Sequence, residues 1–149
     1  MDEPAITLRP FAASDLEFVA GVHHAAYHDL VTAIWGWDDP TQAGFVAEIV
    51  QHPTFEIVEL DGAPAGFISV THGPDHDYLE MIALAPAARG RGVGSRLIRD
   101  RIDAATARGV PLRLTVLDGN RAQGLYRRLG FVVTSVEPPR TEMEWRSRG

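Results

Sequence analysis

The sequence has no cysteine and no lysine among its 149 residues. The first absence excludes disulfides, thiolate metal sites, iron–sulfur clusters and a cysteine nucleophile. The second excludes the nucleotide P-loop, whose Gly-Lys-Ser/Thr signature requires a lysine at the phosphates. No apolar run approaches ~18 residues, so no segment reads as a membrane-spanning helix. The opening residues MDEPAITLRP lack the apolar stretch of a secretory signal, and the cytoplasm is the expected location. Aromatic residues are scarce at 8%, while 45% hydrophobic and 23% charged residues give an ordinary globular balance that argues against wholesale disorder. Domains commonly run about 100–150 residues, so a single domain over residues 1–149 is expected.

Charge is unevenly spread. The net charge is −6, every one of the 14 basic residues being arginine. Up to residue 80 there is one base, Arg9, against fourteen acids; from residue 81 there are thirteen arginines against six acids. An acidic first half suits a cationic or amine partner, and a basic second half suits a polyanion such as a phosphorylated cofactor. The overall negative charge excludes generic nucleic-acid binding.

Hydrophobic periodicity and turn signals place the elements. Ile6 to Arg9 reads as a strand. Ser14 and Glu17 form a capping box before a helix to about Leu30, with Leu16, Val19, Ala20, His23 and Tyr27 near one face. Asp39, followed by Pro40, is the predicted N-cap of a second helix to about Val50. Phe55 to Leu60 and Gly66 to His72 are strands joined by an Asp61-Gly62 hairpin turn, and a third strand spans Asp77 to Ala85. Arg89-Gly-Arg-Gly-Val-Gly94 opens a helix with Val93, Leu97, Ile98, Ile102 and Ala105 on its apolar face and Gly109 as its stop. Leu112 to Leu117 is a strand, Asn120 caps a short helix carrying Ala122, Leu125, Tyr126 and Leu129, and Phe131 to Val136 and Thr141 to Trp145 close the chain as strands. The order β-α-α-β-β-β-α-β-α-β-β is an α+β or mixed α/β layout.

The strand, Pro86 and the glycine–arginine loop carry the chemistry. Glycines let successive N–H groups converge, a helix N-terminus adds partial positive charge, and Arg89 and Arg91 add full charge, which together make a pyrophosphate cradle. A dinucleotide fold is disfavoured because Ser95 stands where its third glycine belongs and no acidic strand-end residue follows at the right spacing. The segment from Leu79 to Ile98 resembles the acetyl-CoA motif Gln/Arg-x-x-Gly-x-Gly/Ala of the GNAT superfamily of N-acetyltransferases. The segment from Leu114 to Phe131, with its Asn, Ala, Leu-Tyr and Leu-Gly-Phe, is similar to that family's second block, and the resemblance covers essentially the whole chain.

The resemblance implies a central, mostly antiparallel, splayed sheet of about six to seven strands flanked by about four helices. It also implies acetyl-CoA as acyl donor, an amine acceptor attacking the thioester directly, and no metal. The strand segment Ile82, Ala83 and Leu84 would pair with the pantetheine arm. The loop Arg89, Gly90, Arg91, Gly92, Val93, Gly94 and Ser95 would hold the pyrophosphate, and Asn120 would contact pantetheine. Tyr126 would sit beside the sulfur and protonate the leaving thiolate, a task for which a phenol with pKa near 10 is suited, with a core aromatic of the Ala122–Leu129 stripe as its alternative. The Ile82 amide is the oxyanion candidate. Glu80, two residues earlier on the same strand, is the candidate base, with ion-paired or solvated surface as its alternative.

Tyr27, Trp35, Trp37 and His72 are acceptor-binding candidates. The two tryptophans stand between the first two helices, where the family builds its acceptor pocket, and Asp38 and Asp39 lie beside them. Equally, the tryptophans fit as plugs of the helix–sheet layer. His24 and His28 have i,i+4 spacing but no accompanying Glu-x-x-His pattern, so no metal site is expected. His72, Asp75, His76 and Asp77 read as a solvated loop, with a substrate gate or a metal site as alternatives, and Arg96, Arg99, Arg101 and Arg108 as a solvated helix face, with a binding patch as the alternative. The leading expectation is transfer of an acetyl group to a primary amine of a small molecule. A protein or peptide acceptor, or a non-catalytic acyl-CoA-binding module, are the alternatives. Members of the family are often dimers, and a homodimer is compatible with this sequence.

Overall fold

In the computed structural model, which describes residues 4–147, the elements follow the predicted order. They are β1 (Ile6–Pro10), α1 (Leu16–Ile34), α2 (Asp39–Ile49), β2 (Phe55–Leu60), β3 (Ala63–His72), β4 (Asp77–Leu84), α3 (Val93–Arg108), β5 (Leu112–Leu117), α4 (Ala122–Arg128), β6 (Val132–Glu137) and β7 (Arg140–Trp145). Short 3₁₀ turns occupy Ala13–Asp15 and Pro86–Ala88. The seven strands form one mixed sheet in the order β1-β2-β3-β4-β5-β7-β6. With four α-helices this is the mixed α/β architecture that the resemblance implies. None of the described helices is long and apolar enough to cross a membrane.

Local chemistry explains most boundaries. Asp61 and Gly62 take φ of 50° and 85°, the paired left-handed conformation of the tight hairpin turn, and bring Leu60 opposite Ala63. Gly109 ends α3 with φ 75°. Two predicted caps move. The Ser14 hydroxyl makes no cap, because Asp15 accepts the Ala12 amide at 2.8 Å and forks onto Arg9 at 2.8 and 2.9 Å. Those charge-assisted bonds outweigh a hydroxyl–amide bond. At α2 the cap is Asp38, not Asp39: its carboxylate accepts the Thr41 amide at 2.9 Å, three residues on, while Asp39 accepts the Trp37 indole N–H. Helix α1 also runs one turn past Leu30, and its buried side is Val19, Val22, His23 and Val31, with Leu16 and Ala20 exposed.

The chain clusters into two compact units. One comprises the residues up to Ser69 with Met81–Arg91, and the other Val70–Glu80 with the residues from Gly92 onward. In the first, Val19, Val22, Val46, Val50, Phe55, Ile57, Phe67 and Ala83 form the core. Close approach of β3 and β4 depends on Gly66, where an added Cβ would lie 2.2 Å from the Ala83 carbonyl oxygen. In the second, α3 buries the predicted face of Val93, Leu97, Ile98, Ile102 and Ala105, and β5 buries Leu112, Leu114 and Val116. The parallel ladder between β4 and β5 covers Asp77, Tyr78 and Leu79 and ends there. Strand β6 lies at a sheet edge with Val132 and Val136 exposed.

Candidate active site

The turn from β4 into α3 has the backbone that its glycines predict. Arg89 is extended, Gly90 and Gly92 both take φ of 75°, and Gly92 is the residue at the helix N-cap. An added side chain would meet nothing within 4 Å at either glycine, so they are needed for handedness rather than room. The first helical bond runs from the Arg96 amide to the Gly92 carbonyl at 3.1 Å. The amides of Val93, Gly94 and Ser95 therefore have no carbonyl of their own helix to bond, and they carry the positive end of the 16-residue α3 dipole. Val93 is 1% exposed and anchors the loop, whereas Arg89 and Arg91 are exposed; Arg89 Nε donates to the Leu84 carbonyl at 3.2 Å.

The remaining predicted residues divide between the units. On β4, the Ile82 carbonyl accepts the Tyr27 hydroxyl at 3.4 Å, and burial pushes the Tyr27 phenol above its ordinary range. Trp37 packs on the rings of His23, His24 and His28 at 5.8, 5.2 and 5.0 Å. Asp38 and Asp39 are engaged at the helix start, Trp37 is half-buried and Trp35 is half exposed. His24 and His28 stack on each other at 4.6 Å.

In the second unit Tyr126 is 6% exposed on α4, its ring 5.6 Å from Phe131. Asn120 Oδ1 accepts the Ala122 amide at 2.9 Å and so starts α4. Glu80 is exposed and accepts the Thr71 hydroxyl at 3.1 Å. His72 is half exposed, and its Nδ1 lies 3.0 Å from Asp77 Oδ1.

Asp77 is the largest departure from expectation. It is 1% exposed, not solvated, and is held by Arg108, which also donates to the Gly73 carbonyl at 2.8 Å. Arg108 itself stays exposed, as expected, while its guanidinium reaches in to Asp77. The signal was available: Asp77, Leu79 and Ala83 share the odd register of β4, and all three are buried.

A cleft of about 370 Å³, also missed, is lined by Thr71, Gly73, His76, Tyr78 and Glu80. Behind it Tyr78 and Thr115 share a hydrogen bond between hydroxyls. Arg113 donates to Glu144 at 2.8 Å and to His76 Nδ1 at 3.4 Å, and its guanidinium, ahead of the hydrogen bond from Arg146, holds the Glu144 carboxyl below the usual range. This wall joins residues far apart in sequence, so linear spacing gave no hint of it.

Comparison with known proteins bears directly on this arrangement. A model of the acetyltransferase (GNAT) family matches residues 16–131, which takes in α1, the glycine–arginine turn and α4. The chain belongs to the GNAT acetyltransferase family. Among individual relatives, this GNAT chain is 37% identical over 98 residues to streptothricin acetyltransferase of Streptomyces lavendulae, covering 63% of this chain and 52% of that protein. It is 38% identical over 87 residues to the thialysine N-epsilon-acetyltransferase of Bos taurus, covering 50% of this chain and 51% of the relative. The chain thus spans about half the length of these curated relatives. The crystal structure of PaiA N-acetyltransferase from Thermoplasma acidophilum in complex with coenzyme A superimposes with a TM-score of 0.75 over 96% of this chain and 99% of that one. At 18% identity it shows a shared fold.

Proposed function

We propose that this GNAT chain, read as one catalytic domain, is an N-acetyltransferase that moves the acetyl group of acetyl-CoA to a primary amine of a small molecule. The observation that carries this reading is the glycine–arginine turn into α3, found within a chain of this family. Two left-handed glycines, three helix-end amides and two exposed arginines suit the pyrophosphate of CoA. Ile82, Ala83 and Leu84 offer strand backbone to the pantetheine arm. Since Asn120 Oδ1 is engaged with Ala122, its amide NH₂ is the group to contact pantetheine.

Catalysis then runs in one ternary complex. Glu80 takes a proton from the incoming ammonium, and the free amine attacks the thioester carbonyl. The Ile82 N–H stabilises the oxyanion. The C–N bond forms, the C–S bond breaks, and Tyr126 protonates the departing thiolate. The nitrogen sheds two protons overall; the balance leaves one on the CoA sulfur and one in solvent. No enzyme nucleophile is required, in keeping with a chain that has no cysteine.

Calorimetric titration with acetyl-CoA, CoA and NADH tests the reading. Both CoA species are expected to bind and NADH is not. Failure of both CoA species to bind would remove the cradle and the acetyltransferase reading with it.

A further inference from the structure

The cleft on the β3–β4 side of the second unit has a lopsided charge. Of its five lining residues, Glu80 is the one with a formal charge, and its carboxylate is met by a neutral partner, the Thr71 hydroxyl. Two arginines stand close, yet both are committed elsewhere. Arg108 is held by buried Asp77 and the Gly73 carbonyl, and Arg113 by Glu144. Arg113 also donates to His76 Nδ1 at 3.4 Å, so that nitrogen is taken up as an acceptor. The His76 and Tyr78 rings meet edge to face, with centroids 6.4 Å apart at 73°. A tight turn, closed by the Gly73 amide on the His76 carbonyl at 2.9 Å, fixes where His76 stands.

An anion, two aromatic rings and hydroxyls suit an organic cation. They are poorly suited to a carboxylate, because Arg108 and Arg113 already hold carboxylates of their own. We propose that this cleft selects acceptors whose amine stands on a carbon bearing no carboxylate, alkylammonium ions rather than α-amino acids. An α-carboxylate would enter beside Glu80 without a counter-ion and be repelled. The volume is at the lower end of small-ligand pockets, which favours a compact acceptor. This selection rests on the acetyltransferase reading for its chemistry and on the cleft alone for its specificity.

The test compares n-pentylamine, norleucine and norleucine amide, the first two differing by the carboxylate alone. Transfer from acetyl-CoA is followed by release of free thiol, and binding of each amine is measured by calorimetry in the presence of CoA. The expected kcat/KM for n-pentylamine exceeds that for norleucine by about tenfold or more. Norleucine amide should recover most of the difference, because it keeps the bulk and loses the charge. Norleucine has the weaker base and thus more free amine at a given pH, a bias that opposes the expected result. In binding, Glu80→Gln should weaken n-pentylamine and narrow the gap to norleucine.

Turnover with norleucine equal to n-pentylamine would overturn the selection and leave the acetyltransferase standing. Norleucine amide as poor as norleucine would also overturn it, since bulk would then be the cause. Selective binding of n-pentylamine without turnover would retain the cleft and overturn the acetyltransferase. Neither binding nor turnover would overturn both.

Discussion

His23 in the first unit and Asp77 in the second are buried by opposite means. In the first, His23 is 4% exposed and bonds Gln42 at 3.0 Å through Nε2, while its Nδ1 is buried with no hydrogen-bond partner among the described residues. Burial holds its pKa below the ordinary value, so the ring is neutral. In the second, Asp77 is 1% exposed and held by Arg108 and His72. A neutral ring needs one hydrogen bond and tolerates an apolar setting; a carboxylate needs a cation and fixes a loop in return. The arginine-rich second half supplies that cation, and the first half, with one base before residue 80, has Arg9 divided between Asp15 and Glu59. Asp15 in the first unit is thus neutralised by an arginine as Asp77 is in the second, and the contrast lies in how many cations each half supplies.

The contrast extends to catalysis, since both proposed proton carriers, Glu80 and Tyr126, lie in the second unit. Tyr126→Phe should produce the largest effect, a fall in kcat of about 10²–10⁴ with acetyl-CoA affinity nearly unchanged. Turnover at the wild-type rate under saturating substrate would remove Tyr126 from the mechanism. Next in size is Asp77→Ala, which strips the buried partner from Arg108 and frees the turn that carries His76. Urea unfolding should show a loss of about 3–5 kcal/mol. A loss below about 1 kcal/mol would mean that the ion pair is as dispensable as an exposed one.

The smallest effect belongs to His23. Its folded pKa lies below its unfolded value, so its contribution is complete above the unfolded value and is lost as pH falls toward the folded one. Stability should therefore decline as pH drops below about 6.5. His23→Gln should flatten that part of the curve; an unchanged slope would place the acid sensitivity elsewhere.

Elements whose signals are local were legible in sequence. The Asp61-Gly62 turn, the buried face of α3 and the Gly109 stop depend on neighbours within a few residues, and all three stand where periodicity and turn chemistry put them. Errors arose where a distant partner decided the outcome. Ser14 lost its cap to Asp15 because Arg9 on β1 reaches that carboxylate. Asp77 looked like loop solvent until Arg108, a full helix away, supplied its counter-charge. The cleft depends on β3, β4 and β5 meeting side by side, and its His76 is bonded by an arginine 37 positions further on. Long-range pairing of charges, rather than helix or strand propensity, is the information that a linear reading lacked.

Gly66 and Gly92 share a residue type and nothing else. At Gly66 the backbone is ordinary and the space is gone; at Gly92 the space is open and the backbone is of the left-handed kind. One position is selected for volume and the other for chirality. Alanine would be rejected at Gly66 by collision and at Gly92 by its hand. A mirror-image residue would escape the conformational objection at Gly92 and inherit the crowding at Gly66. Glycine at the first is a statement about its neighbours; at the second it is a statement about the chain itself.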